Sequence, residues 1–222
     1  MSVTIPLPAT LRGRFVQLEP LHEDHLDGLT AALHRPEVFA GGWGGGPAGY
    51  HPDPSRFRDF LRHYLWAERP FAVRLVAGPD AGTLVGTSSL GEWEPSKERT
   101  HLGWTAYDPR VWGSAVNPES KLLLLSHVFD HGWGRVRIQA DNLNTRSIAA
   151  IGRLGATREG TVRRDARRAD GTWRDAVVFS VIADDWPDVR DRLRHRVDAA
   201  TPPSLRPAAA APVAPSSAKE TR

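Results

Sequence analysis

Cysteine is absent from all 222 residues, which excludes disulfides, thiolate-held metals and a cysteine nucleophile together. No stretch approaches the roughly 18 to 20 consecutive apolar residues that cross a bilayer. The N-terminus lacks the basic-then-apolar layout of a signal peptide, so the chain reads as cytoplasmic with no membrane partner. A strong excess of either charge is missing too: 29 Lys and Arg against 26 Asp and Glu leave +3, with a pI near 9.7. That attraction to phosphates is small for a dedicated nucleic-acid binder, and neither a helix-turn-helix nor an aromatic RNA-binding signature is present. No internal repeat occurs.

What is present is an ordinary globular composition, 40% hydrophobic and 25% charged, in a length that suits one domain with tails. Residues 14–18 alternate as a half-buried strand, and Pro20 ends it. Leu26, Leu29, Ala32 and Leu33 recur at helical spacing before Pro36. Residues 41–47, Gly-Gly-Trp-Gly-Gly-Gly-Pro, read as a long loop, either a cover for a ligand site or a solvent-exposed connection. Phe57, Phe60, Leu61, Tyr64 and Leu65 mark a second helix over 54–68.

Strand-like runs at 71–77, 83–90 and 100–107 suggest an antiparallel meander. A helix over 119–129, a strand over 135–140 and a helix over 144–154 follow, the last stopped by Gly155. Residues 158–167 and 173–182 flank Asp170-Gly171, a hairpin signal. Asp184-Asp185-Trp186-Pro187 opens a last helix. This order argues for an α+β domain around one central sheet. The domain is expected over 1–198. The Ala- and Pro-rich residues 199–222 are expected to be disordered, because they cannot bury enough apolar surface to offset their ordering entropy.

The chemistry centres on Arg110-Val111-Trp112-Gly113-Ser114-Ala115-Val116-Asn117, between a strand and a helix start. Small residues there let backbone N–H groups close around an anion such as a pyrophosphate, although a single glycine before a helix is also a common connection. Context comes from the order Gly86-Thr87-Ser88, Leu102-Gly103-Trp104-Thr105, then Gly113-Ser114-Ala115-Val116-Asn117-Pro118-Glu119-Ser120-Lys121. It continues in Asn142-Leu143-Asn144-Thr145-Arg146-Ser147-Ile148-Ala149-Ala150-Ile151-Gly152-Arg153-Leu154-Gly155-Ala156, and in Asp170-Gly171-Thr172-Trp173-Arg174-Asp175 with Val178-Phe179-Ser180.

From about Leu11 to Val197 this series resembles the GNAT superfamily of N-acetyltransferases, and within it the branch of ribosomal-protein N-terminal acetyltransferases. The resemblance implies a GNAT-like mixed, mostly antiparallel central sheet flanked by helices, with acetyl-CoA as co-substrate and no metal. By that resemblance the pyrophosphate of acetyl-CoA lies along Arg110, Val111, Trp112, Gly113, Ser114 and Ala115, with Asn117 beside them, and Asn144 holds the pantetheine arm. One departure is visible: the usual Gly-x-Gly of the loop is Gly113-Ser114-Ala115.

Thioester aminolysis needs a positioned amine, donors for the oxyanion, a base for the amine and preferably an acid for the sulfur. Where many relatives carry a tyrosine acid, this chain has Ile151. Ser147, one turn earlier, reads either as the group that protonates the thiolate or as a helix-surface serine near its N-cap. His101 stands where relatives place a glutamate base, and reads either as that base or as a structural histidine. Glu92 and Glu94 are alternatives. Trp43 and Trp93 are candidates to line an acceptor pocket, where they would favour an aromatic or cationic amine, or simply to pack. Asp141 reads as an amine ligand or a turn carboxylate. Arg163, Arg164, Arg167, Arg168 and Arg174 read as a solvated hairpin tip or an anion site.

Three functions follow. The first is N-acetylation of a small-molecule or peptide amine (a protein N-terminus, an amino acid, an amine-bearing metabolite or antibiotic) by a monomer or homodimer. The second is a catalytically weak acyl-CoA-binding sensor, kept open by Ile151 and the altered loop. The third, weakest, is a nucleic-acid binder using the arginine-rich hairpin.

Overall fold

The computed structural model of the chain describes residues 3–65 and 68–207. In order, the elements are β1 (Leu11–Arg12), β2 (Val16–Pro20), α1 (Leu26–Leu33), α2 (Pro36–Phe39), α3 (Pro54–Leu65), β3 (Arg69–Leu75), β4 (Leu84–Glu94), β5 (Arg99–Tyr107), α4 (Val116–Phe129), β6 (Arg135–Asp141), α5 (Thr145–Gly152), β7 (Thr157–Arg167), β8 (Trp173–Ile182) and α6 (Trp186–Asp198). The eight strands form one sheet in the order β1-β2-β3-β4-β5-β6-β8-β7. Every neighbouring pair is antiparallel except β5 with β6. The mixed, mostly antiparallel sheet and the β3–β4–β5 meander expected from the sequence are therefore present. None of the helices among the described residues is long and apolar enough to cross a membrane.

Two sequence-based boundaries move. Pro36 does not end the first helical region but opens α2, since its fixed φ suits a first helical turn. For the same reason α4 starts at Val116 rather than at 119, with Pro118 in its first turn. Residues 66 and 67 of the expected second helix lie outside the described residues.

The two faces of the sheet carry separate cores. Leu124, Leu125 and Val128 of α4, Ile151 of α5 and Leu193 of α6 pack on Val73, Val85, Leu102, Val136 and Phe179. On the other face, Leu29 and Leu33 of α1 and Phe57 and Leu61 of α3 pack on Ala72, Leu84 and Ala106. Alternation along a strand sends successive side chains to opposite faces, so His101, next to Leu102, projects towards the α1–α3 side.

Beyond α6 the chain departs from the disorder expected from residue 199. Pro203 is buried, the Leu205 amide donates to Asp80 at 2.8 Å, and the Arg206 amide to the Arg110 carbonyl at 3.3 Å. The rest of the tail expected to be disordered, from residue 208, lies outside the described residues.

One buried carboxylate anchors α4 to the start of the sheet. Glu119, 3% exposed, accepts the backbone amides of Arg14, Phe15 and Val16 at 2.6, 2.7 and 2.8 Å. A β-carbon at Gly13 would come within 2.5 Å of the Glu119 carboxyl carbon, which is why the turn is glycine. Glu119→Ala leaves three amides without partners and should cost about 3 kcal/mol or more, read by urea unfolding.

A second buried polar residue on α4, Lys121, has only hydroxyls for partners among the described residues: its Nζ donates to Ser88 Oγ at 2.9 Å and Thr105 Oγ1 at 2.6 Å. Burial pushes its pKa down from 10.5 to about 7. Between those values the unfolded chain holds the proton more tightly than the folded one, so folding stability rises with pH across that window. Denaturation measured from about pH 7 to pH 10 should show the rise, and Lys121→Met should flatten it.

Candidate functional site

β5 and β6 pair only at their beginnings, through Arg99 with Arg135, Thr100 with Val136 and His101 with Arg137. Beyond that point β5 runs on to Tyr107 and β6 to Asp141 without joining, and Gly103, Trp104 and Thr105 are partly exposed in the wedge that opens. A wedge between parallel strands leaves one backbone edge of each without a ladder partner, ready to pair with an extended ligand.

Two bulges shape the closed end of the wedge. In β4 three steps from Gly91 to Glu94 oppose two from His101 to Arg99, and the extra residue includes Glu92 at φ 50°. In β5 three steps from Gly103 to Ala106 oppose two on β4, with Trp104 at φ 49°. Strict alternation after Leu90 would send residue 92 to the α4 side; the bulge turns it back instead. Its carboxylate lies 3.2 Å from His101 Nδ1 and forms an ion pair with Arg137. The hydrogen bond to His101, helped by the charges of His101 and Arg137, holds the Glu92 carboxyl below its usual range.

In the neutral imidazole, an Nδ1–H donated to Glu92 leaves the lone pair on the other ring nitrogen of His101. That Nε2 is buried without a partner among the described residues and lies over Gly103, where a β-carbon would approach it to 2.8 Å. The Trp104 ring covers the imidazole at 4.9 Å between centroids. Ser89 Oγ and Gln139 Oε1, on the same face by strand alternation, are also buried and unpartnered among the described residues. A cleft of about 80 Å³ lined by Glu92, Thr100, His101 and Arg137 borders the pair on the Glu92 side.

The open end of the wedge is formed by the loops after β5 and β6. After β5, the buried Asp108 accepts the Arg110 amide at 2.9 Å and grips its guanidinium through Nη2 at 2.7 Å and Nε at 3.1 Å. The Val111, Trp112 and Ser114 amides donate within the loop. The sequence placed all of residues 110–115 along the anion; the structure leaves only the Gly113 and Ala115 amides without acceptors among the described residues. Val111 and Ala115 are buried anchors, Trp112 Nε1 donates to the Tyr107 carbonyl at 3.0 Å, and the Ser114 hydroxyl donates to the Val111 carbonyl at 2.6 Å. Asn117 sits half-buried in the first turn of α4. Gly113 adopts φ 77°, a left-handed conformation that favours glycine.

After β6, Asn144 caps α5 by accepting the Ser147 amide at 2.9 Å. The half-buried Ser147 hydroxyl has no partner among the described residues. Ile151 is core. Ser147, one turn before Ile151, belongs to the α4–α6 side, and no hydrogen bond joins it to His101 or Glu92 among the described residues. The glycine-rich loop of residues 41–46 closes over this region: at Gly42, φ 97°, a β-carbon would come within 2.9 Å of Asp141, and the Gly45 carbonyl accepts the Ala169 amide at 2.9 Å. Trp43 Nε1 donates to the Trp104 carbonyl at 3.3 Å, which brings Trp43 to the His101 side of the wedge.

Other candidates are engaged elsewhere. Glu94 lines the cleft beside Glu92 but is held there by Lys97 and Arg99. Trp93 packs on Trp133 in the α4-side core, because the Glu92 bulge shifts it to that face, and so does not line a pocket with Trp43. Asp141 is a turn carboxylate that accepts the Leu143 amide at 2.9 Å and two nitrogens of Arg168 at 2.8 Å. Arg174 pairs with Asp165, while Arg164 and Arg167 stack on Trp173. Among the described residues no cluster of three His, Asp or Glu is placed to hold a metal ion. Sequence reasoning missed Arg137, Gly103 and Arg146; only Gly103 gave a signal, a glycine inside a strand that marks close approach.

Comparison with known proteins supplies the family. The profile of the acetyltransferase (GNAT) domain matches residues 16–157. None of the curated proteins matches the chain significantly. Among solved structures, a protein of T. thermophilus described as an acetyltransferase is 35% identical, with 87% of this chain and 100% of that chain covered at a TM-score of 0.77. A GCN5-related N-acetyltransferase from Brucella melitensis is 25% identical, with 87% of each chain covered at 0.75. Mycobacterium smegmatis RimJ, solved with CoA-disulfide, is 20% identical, with 85% of this chain and 94% of that chain covered at 0.64, a likeness of fold. A profile match across well over half of its length and relatives at this level of identity make the chain an acyltransferase that belongs to the GNAT acetyltransferase family.

Proposed function

We propose that the protein transfers acetyl from acetyl-CoA, the donor its family uses, to a primary amine by direct attack, with His101 as general base. The observation that carries this reading is the Glu92–His101 pair, whose unpartnered Nε2 lies over Gly103 where β5 leaves β6. Acetyl-CoA supplies an activated acetyl carbonyl and a thiolate leaving group. The wedge fits it: the unpaired edges of β5 and β6 match an extended amide-bearing arm, and the free Gly113 and Ala115 amides match a phosphate.

In this reading the amine approaches from the α1–α3 side, past Trp43 and the unpartnered Ser89 and Gln139. His101 Nε2 accepts a proton from the amine as the C–N bond forms. Glu92 holds the ring in the tautomer that leaves Nε2 basic, and Arg137 holds Glu92. Ser147, on α5 across the wedge, is the chain's donor to the sulfur as the C–S bond breaks. The aromatic wall at Trp43 supports a small-molecule or peptide amine, including the N-terminal amine of a protein.

The buried Ile151 in place of a tyrosine supports a second reading, an acyl-CoA sensor without turnover. Thiol release separates the two. Acetyl-CoA at about a hundredfold over its Kd should stabilise the protein by about 2.7 kcal/mol, and an amine panel should yield free CoA; stabilisation without thiol from any amine supports the sensor. His101→Ala should lower kcat/KM by about 10² to 10⁴ while acetyl-CoA binding, measured by calorimetry, is kept. Glu92→Gln should lower kcat/KM by about tenfold or more, as loss of an orienting partner does. Wild-type turnover in His101→Ala would remove the base from this scheme.

A further inference from the structure

Trp112 is flanked by two guanidinium groups, neither of which belongs to the loop that carries it. Arg146, from the first turn of α5, crosses the mouth of the wedge and lies 3.3 Å from the centre of the Trp112 ring. Arg206, from the segment after α6, donates through Nη2 to the Trp112 carbonyl at 3.0 Å. The same guanidinium lies 3.8 Å from where a β-carbon on Gly113 would stand. The segment is seated by Pro203, buried against the β3–β4 turn at Gly78, and by the amides of Leu205 and Arg206 on Asp80 and the Arg110 carbonyl.

The charges around this loop are unequal. Arg110 is neutralised by the buried Asp108. Arg146 and Arg206, both exposed, have no carboxylate partner among the described residues. Two uncompensated guanidiniums on either side of two free amides make a concentrated positive field beside a loop whose own arginine is spent.

We infer that Arg146 and Arg206 form a clamp for the phosphates of the acyl donor, so that the segment at residues 203–206 is part of the donor site. The inference rests on acetyl-CoA as the donor. It predicts discrimination by the phosphates alone, which S-acetyl-pantetheine, with the same thioester and arm but no phosphate, tests directly.

The experiment measures acetyl-CoA affinity by calorimetry, and kcat/KM with each donor, in the full chain, in Arg146→Ala, Arg206→Ala and Arg206→Lys, and in a chain ended after residue 199. Each alanine variant and the truncation should bind acetyl-CoA about tenfold more weakly, the effect of removing one charge-assisted hydrogen bond. Each should retain the parent kcat/KM with S-acetyl-pantetheine, and Arg206→Lys should recover most of the affinity. Unchanged acetyl-CoA affinity in the alanine variants, or equal losses with both donors, overturns the clamp. Failure of the full chain to bind acetyl-CoA at all overturns the donor reading instead.

Discussion

The pairing of β5 with β6 stops after three residues, and the remaining geometry of the site depends on that interruption. Parallel strands normally bond along their length, and an unpaired buried edge costs about as much as the missing hydrogen bonds. Here the divergence is tolerated because each strand is held on its other side, β5 by β4 and β6 by β8, and because residues 103–105 are partly open. The result is a slot with a closed end at His101 and an open end between two loops, each of which leads into a helix.

Everything chemically distinctive is placed by how the chain enters or leaves that slot. At the closed end, two bulges with left-handed non-glycine residues, Glu92 and Trp104, re-aim side chains that regular alternation would send elsewhere. Such conformations cost on the order of 1 to 3 kcal/mol each and persist where the surroundings hold them; here a histidine, an arginine and an aromatic ring do so. At the open end, Glu119 fixes the first turn of α4 against β2 through three amides, so the Gly113 loop is held from behind. The two faces divide the work: the unpartnered Ser89, His101 and Gln139 atoms lie on the α1–α3 side, while α4, α5 and α6 build the side that carries Ser147 and Ile151.

Much of this was legible in the residues. Periodicity located every long helix and strand within a few positions, because an amphipathic stripe or an alternating run reflects burial that the sequence must encode locally. The Gly113 loop and Asn144 were singled out through motif order, and His101 and Glu92 as candidate bases; that Asn144 caps α5 came from the structure. Less visible were features set by register. Trp93 was read with Trp43, yet one extra residue in β4 sends it to the opposite core. Asp141 was open to two readings until Arg168 arrived from twenty-seven residues away. The tail after residue 199 has the composition of a disordered segment, but two hydrogen bonds to the Gly113 loop, one to Asp80 and a buried proline against the β3–β4 turn seat its first part.

The sequence by itself determined the elements, the α+β class, the family resemblance and the identity of the loop, because these depend on local pattern and on motif order. Tertiary structure alone decided which charges were spent and which were left over. Arg110 and Asp108 are two residues apart and cancel; Arg146 and Arg206 are far apart in sequence and converge on one tryptophan without a carboxylate between them. Likewise the pairing of Glu92 with His101 needed two bulges to bring a carboxylate and an imidazole to one face. Contacts between distant residues are set by strand register and chain return, and no local pattern records either.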